Sequence, residues 1–369
     1  MGENIDIVKL MKRRKLDAVI VCGEANLKSL IGYSCDNGVL VVSKNFTHRT
    51  FSPFTFSPFT FTFSFYTDFR YAPEARRKCR GLKVRDIKNF EISLAGRSAY
   101  NGGAAVRARR ITSWRIGYEG EIPHRRFVEF QKFAKKAKFV DVSRDLLAIR
   151  AVKGEEEIAK LRAAEKLDCE IYRDAVKEFR AGMTERQMAA VIKKLMIERG
   201  DGEAFDTIVC IGRNAAECHH VPDDTVWNGR ESVLIDMGVK LGGYCSDLTR
   251  NILPKRMSGS YRRAYELVKE AHDAAIAAAK PGLPGRKLDK IARDAIRKGG
   301  FGKCFGHSLG HGVGLEIHEA PNASKKSDWT LKPGMLVTIE PGIYLEDNFG
   351  IRIEDLILIT ETGCEVLST

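Results

Sequence analysis

The spacing of apolar positions gives the chain two stretches of different character. Residues 5–15 are amphipathic and lead into Asp17-Ala-Val-Ile-Val-Cys-Gly23, an apolar run of strand length, followed by a second such run at 39–42. This alternation predicts an α/β beginning. Then Thr50-Phe-Ser-Pro-Phe-Thr-Phe-Ser-Pro-Phe-Thr-Phe-Thr-Phe-Ser-Phe65 alternates Phe with Ser or Thr. Period two predicts an extended strand, whereas Pro53 and Pro58 assign the first half to an edge or loop. The segment reads as a repeat expansion inserted into a strand or hairpin, uncharged and Phe-rich enough to favour aggregation.

From Lys153 the period lengthens. Gly154-Glu-Glu-Glu-Ile-Ala-Lys-Leu opens a long helix, with acids in the first turn where the dipole favours them. Thr184-Glu-Arg-Gln187 is a capping box for a helix that stops at Gly200. Residues 260–280 form an Ala-rich helical pattern ended by Pro281-Gly282, and 287–298 form another. Gly-punctuated strands lie between and after these. The expected organisation is an N-terminal α/β domain over 1–145 and an α+β domain over 146–369, helices covering a sheet.

At 369 residues, two domains of roughly 100–200 residues each fit this division. Lys and Arg number 61 against 48 acids, and residues 70–153 hold 22 basic and 8 acidic side chains. That excess reads as a solvated face, because no aromatic RNA-binding signature or zinc-finger spacing accompanies it. No specific nucleic-acid partner is expected. Nine cysteines, an odd number without a C-x-x-C pair, argue for a reducing compartment. No stretch resembles a signal-peptide core or the roughly 20 apolar residues of a membrane span, so a cytoplasmic location is expected.

The candidate chemistry lies in two hairpins. Ser232-Val-Leu-Ile-Asp236 and Cys245-Ser-Asp247-Leu-Thr-Arg250 flank Leu241-Gly242-Gly243, a turn signal. A tight turn centred on Leu241-Gly242 would set Asp236 directly opposite Asp247, with Cβ atoms about 4.5–5.5 Å apart. Leu336-Val-Thr-Ile-Glu340 and Gly350-Ile-Arg-Ile-Glu354 flank the loop 345–349, so that Glu340 and Glu354 can face each other. Unpaired carboxylates in apolar strands are costly; a divalent cation compensates them, and a shared proton or a Lys partner is the structural alternative. Between the hairpins lies Phe305-Gly-His307-Ser-Leu-Gly-His311-Gly-Val-Gly-Leu-Glu-Ile-His318-Glu-Ala-Pro. Carboxylate oxygens with one imidazole suit Mn²⁺ and also fit Co²⁺, Fe²⁺ or Zn²⁺. Four carboxylates suffice for two metals about 3.5–4 Å apart. Spacing alone does not choose among His307, His311 and His318.

Asp236-x-Gly238, Ser246-Asp247-x-Thr-Arg250, Gly310-His-Gly-x-Gly314 with His318-Glu319, Glu340-Pro-Gly342 and Arg352-x-Glu354-Asp355 resemble the ordered signatures of the creatinase/aminopeptidase P/prolidase family. The resemblance covers the whole C-terminal half and, more loosely, the N-terminal half through Thr67-Asp-Phe-Arg-Tyr71. It implies a pita-bread catalytic domain behind a smaller creatinase-like domain, a homodimer, and hydrolysis of Xaa-Pro bonds in peptides with proline second. It further implies that Asp236 holds one metal, Asp247 and Glu354 bridge both, and His311 and Glu340 hold the other. His219 and His318 match positions that contact substrate and steady the tetrahedral intermediate, and Glu340 would move a proton to the leaving prolyl nitrogen. His307, Tyr344 and Arg352 match positions around these. Asn322 stands where some prolidases carry Arg, a candidate anchor for a dipeptide carboxylate. This departure leaves aminopeptidase activity open. The intact ligand set argues against a metal-free amidinohydrolase on the same fold and against a non-catalytic binding protein.

Overall fold

A computed structural model describes residues 2–45, 60–79, 81–90 and 114–369. Its contacts divide the chain into two compact units, Met1–Arg150 and Ala151–Thr369. The division falls at the end of the helix Ser143–Ala151.

The first unit is built on a six-stranded sheet. Ala18–Val21 is central, antiparallel to Val39–Asn45 and parallel to Arg115–Tyr118. The Phe/Ser alternation emerges as the strand Thr60–Thr67, paired on both sides, with Val39–Asn45 and Lys83–Asp86. Period two sends Phe61, Phe63 and Phe65 to one face, where they pack with Leu27, Leu40 and Val42. Residues 50–59 of the repeat lie outside the described residues.

The second unit has two packed pairs of helices and a series of short antiparallel ladders. Glu155–Glu178 begins as its acids predict, with the Glu157 carboxylate accepting from the Gly154 N–H at 3.0 Å. Glu185–Arg199 carries the capping box: Thr184 Oγ1 accepts from Gln187 N and Gln187 Oε1 from Thr184 N. These two helices bury Ile171, Met188, Ile192 and Met196 against Val209, Val233, Ile235 and Met237 of the three-stranded sheet beneath them. The second pair, Gly259–Ala278 and Gly285–Lys298, is separated by the predicted Pro281-Gly282 break. Among the described residues no helix is long and apolar enough to cross a membrane.

Candidate metal centre

The first hairpin turns one residue later than expected. Gly242 and Gly243 both have positive φ, 59° and 80°, as a two-residue mirror-image turn requires. The turn therefore centres between them, pairing Leu241 with Tyr244 and Asp236 with Thr249. Asp236 and Asp247 are not direct partners, a correction to the expectation from sequence. The register differs by two residues, an even number, so both aspartates keep one face as diagonal neighbours. Gly238 falls opposite Asp247. A Cβ there would lie 2.4 Å from the Ser246 carbonyl oxygen.

In the second hairpin, Ile339 pairs with Asp355 and Gly342 with Arg352. The ladders on either side of the gap share one register, which brings Glu340 across from Glu354. His311 lies on Gly310–Gly312, which runs beside Leu336–Ile339. A Cβ on Gly310 would overlap the Thr338 carbonyl at 1.8 Å, so only glycine allows this approach. Thr338 Oγ1 accepts from the His311 N–H at 3.0 Å and donates to Glu340 Oε1 at 3.2 Å.

These elements open on a cavity of about 960 Å³. Asp236, Asp247, His311, Glu340 and Glu354 all line it. Ligand atoms of Asp247, His311 and Glu354 lie within 4.8 Å of one another. His311 Nε2 is 3.5 Å from Asp247 and 3.4 Å from Glu340. Its Nδ1 faces the Gly312 carbonyl at 3.1 Å. A proton on Nδ1 satisfies that contact and leaves the Nε2 lone pair aimed at the carboxylates. Burial, with His318 adding, lowers His311 to about 4, so the imidazole is neutral and fit for coordination.

The carboxylates are strained by their own company. Burial raises Asp247 and Glu354 well above the carboxylate range, with the neighbouring acids adding to the rise. Burial pushes Glu340 up to about 8, Arg352 opposing and Asp236 reinforcing. Asp236 Oδ1 is buried with no hydrogen-bond partner among the described residues. A buried carboxylate oxygen without a donor, three more acids and a directed imidazole lone pair fit divalent cations with hard-ligand preference.

Other predicted residues arrange themselves around this centre. Arg352 is buried and donates to Asp236 Oδ2 and, at 2.7 Å, to the Tyr344 hydroxyl. The Tyr344 hydroxyl donates in turn to His307 Nε2 at 2.9 Å, the tautomer being set by His307 Nδ1 on the Ser308 carbonyl. Both His307 nitrogens are thereby engaged, although Nδ1 still lies 3.8 Å from the Glu340 carboxylate, and burial chiefly lowers the imidazole to about 4. The His318 ring lies edge-on to His311 at 4.3 Å. His219 and Asn322 line the same cavity.

Sequence reasoning missed the supports. Thr249 Oγ1 accepts from Arg352 Nε at 3.1 Å and donates to Glu354 Oε2 at 2.6 Å. Glu165 and Asp168, fully buried on one helix, accept from the Asp247 N–H and the Ser246 hydroxyl. Two acids three residues apart on an otherwise apolar helix face are the one signal that marked them.

Residues 159–361 match the model of metallopeptidase family M24, and residues 6–152 match that of the creatinase/prolidase N-terminal domain. The chain is 30% identical over 364 residues to an uncharacterized peptidase of Bacillus subtilis, covering 96% of each. It is 39% identical over 254 residues to an Xaa-Pro dipeptidase of Pyrococcus furiosus, covering 69% of this chain and 73% of that one. Its fold matches the prolidase from Pyrococcus horikoshii with a TM-score of 0.86 at 30% identity, over 100% of this chain and 98% of that one.

Proposed function

From a chain that belongs to metallopeptidase family M24, with a pita-bread catalytic fold behind a creatinase-like domain, we propose a peptidase that hydrolyses the bond preceding proline. The observation that carries this reading is the group of four buried or half-buried carboxylates lining one cavity, with His311 Nε2 turned toward it. Asp236 would hold one cation, His311 and Glu340 the other, and Asp247 and Glu354 would bridge them. Two divalent ions in that position supply Lewis acidity toward the scissile carbonyl and lower the pKa of water into the neutral range. Mn²⁺ suits mostly carboxylate oxygens with one imidazole, and Co²⁺, Fe²⁺ or Zn²⁺ fit the same set.

The remaining steps belong to side chains of this chain. Glu340, whose carboxylate borders the same cavity, takes up a proton during attack and returns it to the prolyl nitrogen. His219 and His318 place N–H donors at the carbonyl oxygen, where negative charge develops. The Arg352–Tyr344–His307 chain fixes the outer oxygen of Asp236. Asn322 offers an amide instead of a fixed cation, so peptides longer than the dipeptide fit the site as well. The catalytic domain is taken as 146–369, which carries all five proposed ligands. The nine free thiols support a cytoplasmic location. A homodimer rests on family likeness alone.

The test compares Xaa-Pro with Xaa-Ala peptides, as dipeptides and tripeptides, on chelated protein reloaded with Mn²⁺. Hydrolysis confined to the proline peptides and to the loaded protein is expected. Equal cleavage of the alanine series, or full activity after exhaustive chelation, overturns the proposal.

A further inference from the structure

A second gathering of titratable groups lies outside the carboxylate cluster. Ligand-type atoms of Glu185, His220 and Asp223 fall within 4.8 Å of one another. Glu185 is the first residue of the helix Glu185–Arg199 and is completely buried. Its oxygens are already occupied. Oε1 accepts from the Ile211 N–H at 2.6 Å and from Asn214 Nδ2 at 3.0 Å. Oε2 accepts from the Asp223 N–H at 3.1 Å and meets His220 Nε2 at 2.7 Å. A carboxylate with four donors has no lone pair left for a cation, which makes this cluster a clamp and not a metal site.

The same helix end adds two further ties. The N–H groups of Glu185 and Arg186 have no acceptor within their own helix, and they donate to the carbonyls of Thr225 and Asp223. Burial acts to lower His220, yet the hydrogen bond and charge of Glu185 overcome it and leave the histidine raised, favouring the ion pair. Everything gripped in this way belongs to the segment 211–225. The middle of that segment brings Cys218 and His219 to the cavity.

We propose that Glu185 and His220 are positioning residues: the clamp, anchored on Glu185 outside the cavity lining, fixes the segment from which His219 reaches the substrate, and so sets the turnover rate through His219. The inference rests on the role proposed above for His219. Glu185→Gln puts an NH₂ where one oxygen now faces two donors, so the segment must move. His220→Ala removes one tie, whereas His220→Gln keeps an N–H able to reach Glu185.

The experiment uses the full chain loaded with Mn²⁺, an Xaa-Pro peptide as substrate, and bound metal and thermal unfolding measured on every variant. Glu185→Gln is expected to lower kcat about 100-fold, the scale of a displacement of roughly 1 Å, with metal content unchanged. His220→Ala should lower kcat as well, and His220→Gln should recover most of the loss. In a His219→Ala background, Glu185→Gln should cost nothing further, a coupling that general destabilisation does not produce. A folded, loaded Glu185→Gln protein with unchanged kcat overturns the clamp, as does the loss of a bound metal ion from it. If Glu185→Gln does not fold, equal impairment by His220→Ala and His220→Gln overturns the clamp instead. A fully active His219→Ala protein removes the role of His219 itself. An impaired one beside an unaffected Glu185→Gln leaves that role standing and rejects only the clamp.

Discussion

Replacing Glu340 by Gln separates what this carboxylate does for catalysis from what it costs the fold. In the metal-free protein burial holds Glu340 at about 8, against 4.5 for the free side chain. A carboxylate raised on folding gives its full stability below pH 4.5, where both states are protonated. That stability is lost as pH rises toward 8, because the unfolded chain releases its proton first. At about 1.36 kcal/mol per pH unit, the loss from this one group is about 3 kcal/mol at pH 7 and about 5 kcal/mol above pH 8. Glutamine has no proton to lose, and its amide oxygen can keep the hydrogen bond from Thr338 Oγ1. Chelated Glu340→Gln protein should therefore match the chelated parent near pH 4.5, exceed it by about 3 kcal/mol at pH 7, and exceed it by about 5 kcal/mol at about pH 9. With Mn²⁺ present the order should invert, since the variant lacks a ligand and gains less from binding; turnover should be lost. Urea denaturation followed by tryptophan fluorescence, with and without metal, measures each quantity. A stability gap that does not grow with pH, or a chelated variant weaker than its parent at high pH, refutes the reasoning.

Asp247→Asn and Glu354→Gln should each abolish turnover and lower metal occupancy by elemental analysis, because a neutral amide bridges two cations poorly. Asn322→Arg should shift kcat/KM toward Xaa-Pro dipeptides relative to tripeptides, and an unchanged ratio would place the carboxylate anchor elsewhere. Lys153 Nζ and Glu319 Oε2 form a buried pair at 2.9 Å, their side chains 1% and 2% exposed. Lys153→Met should destabilise by about 3–5 kcal/mol on leaving Glu319 buried without its cation, and adding Glu319→Leu should recover most of that in thermal unfolding.

The candidate acids were legible because each lies in or directly beside a short apolar strand, where an acid has no ordinary reason to be. The pairing of Asp236 was not, because two consecutive glycines offer two centres for the turn and only their φ values decide. Position along the chain left three histidines equivalent. Geometry separates two of them: both His307 nitrogens are hydrogen-bonded, to Ser308 and Tyr344, while His311 Nε2 lies within 3.5 Å of two carboxylates. The supports were hidden by distance, since Thr249 and Glu354 are 105 residues apart and Ser368 and Glu165 are 203. The even spacing of Phe61, Phe63 and Phe65 foretold a strand, but not that it would be paired on both sides.

The five carboxylate and imidazole positions run from Asp236 to Glu354, and the second hairpin reaches the first through the Thr249–Glu354 bridge. No local fragment holds the set. In a zinc finger the ligands lie a few residues apart, and the metal can nucleate the chain around itself. If these five positions hold the cations, a chain still emerging from the ribosome has no complete chelate until its last hairpin is made. A cation held there would add to the stability of the already folded unit by mass action.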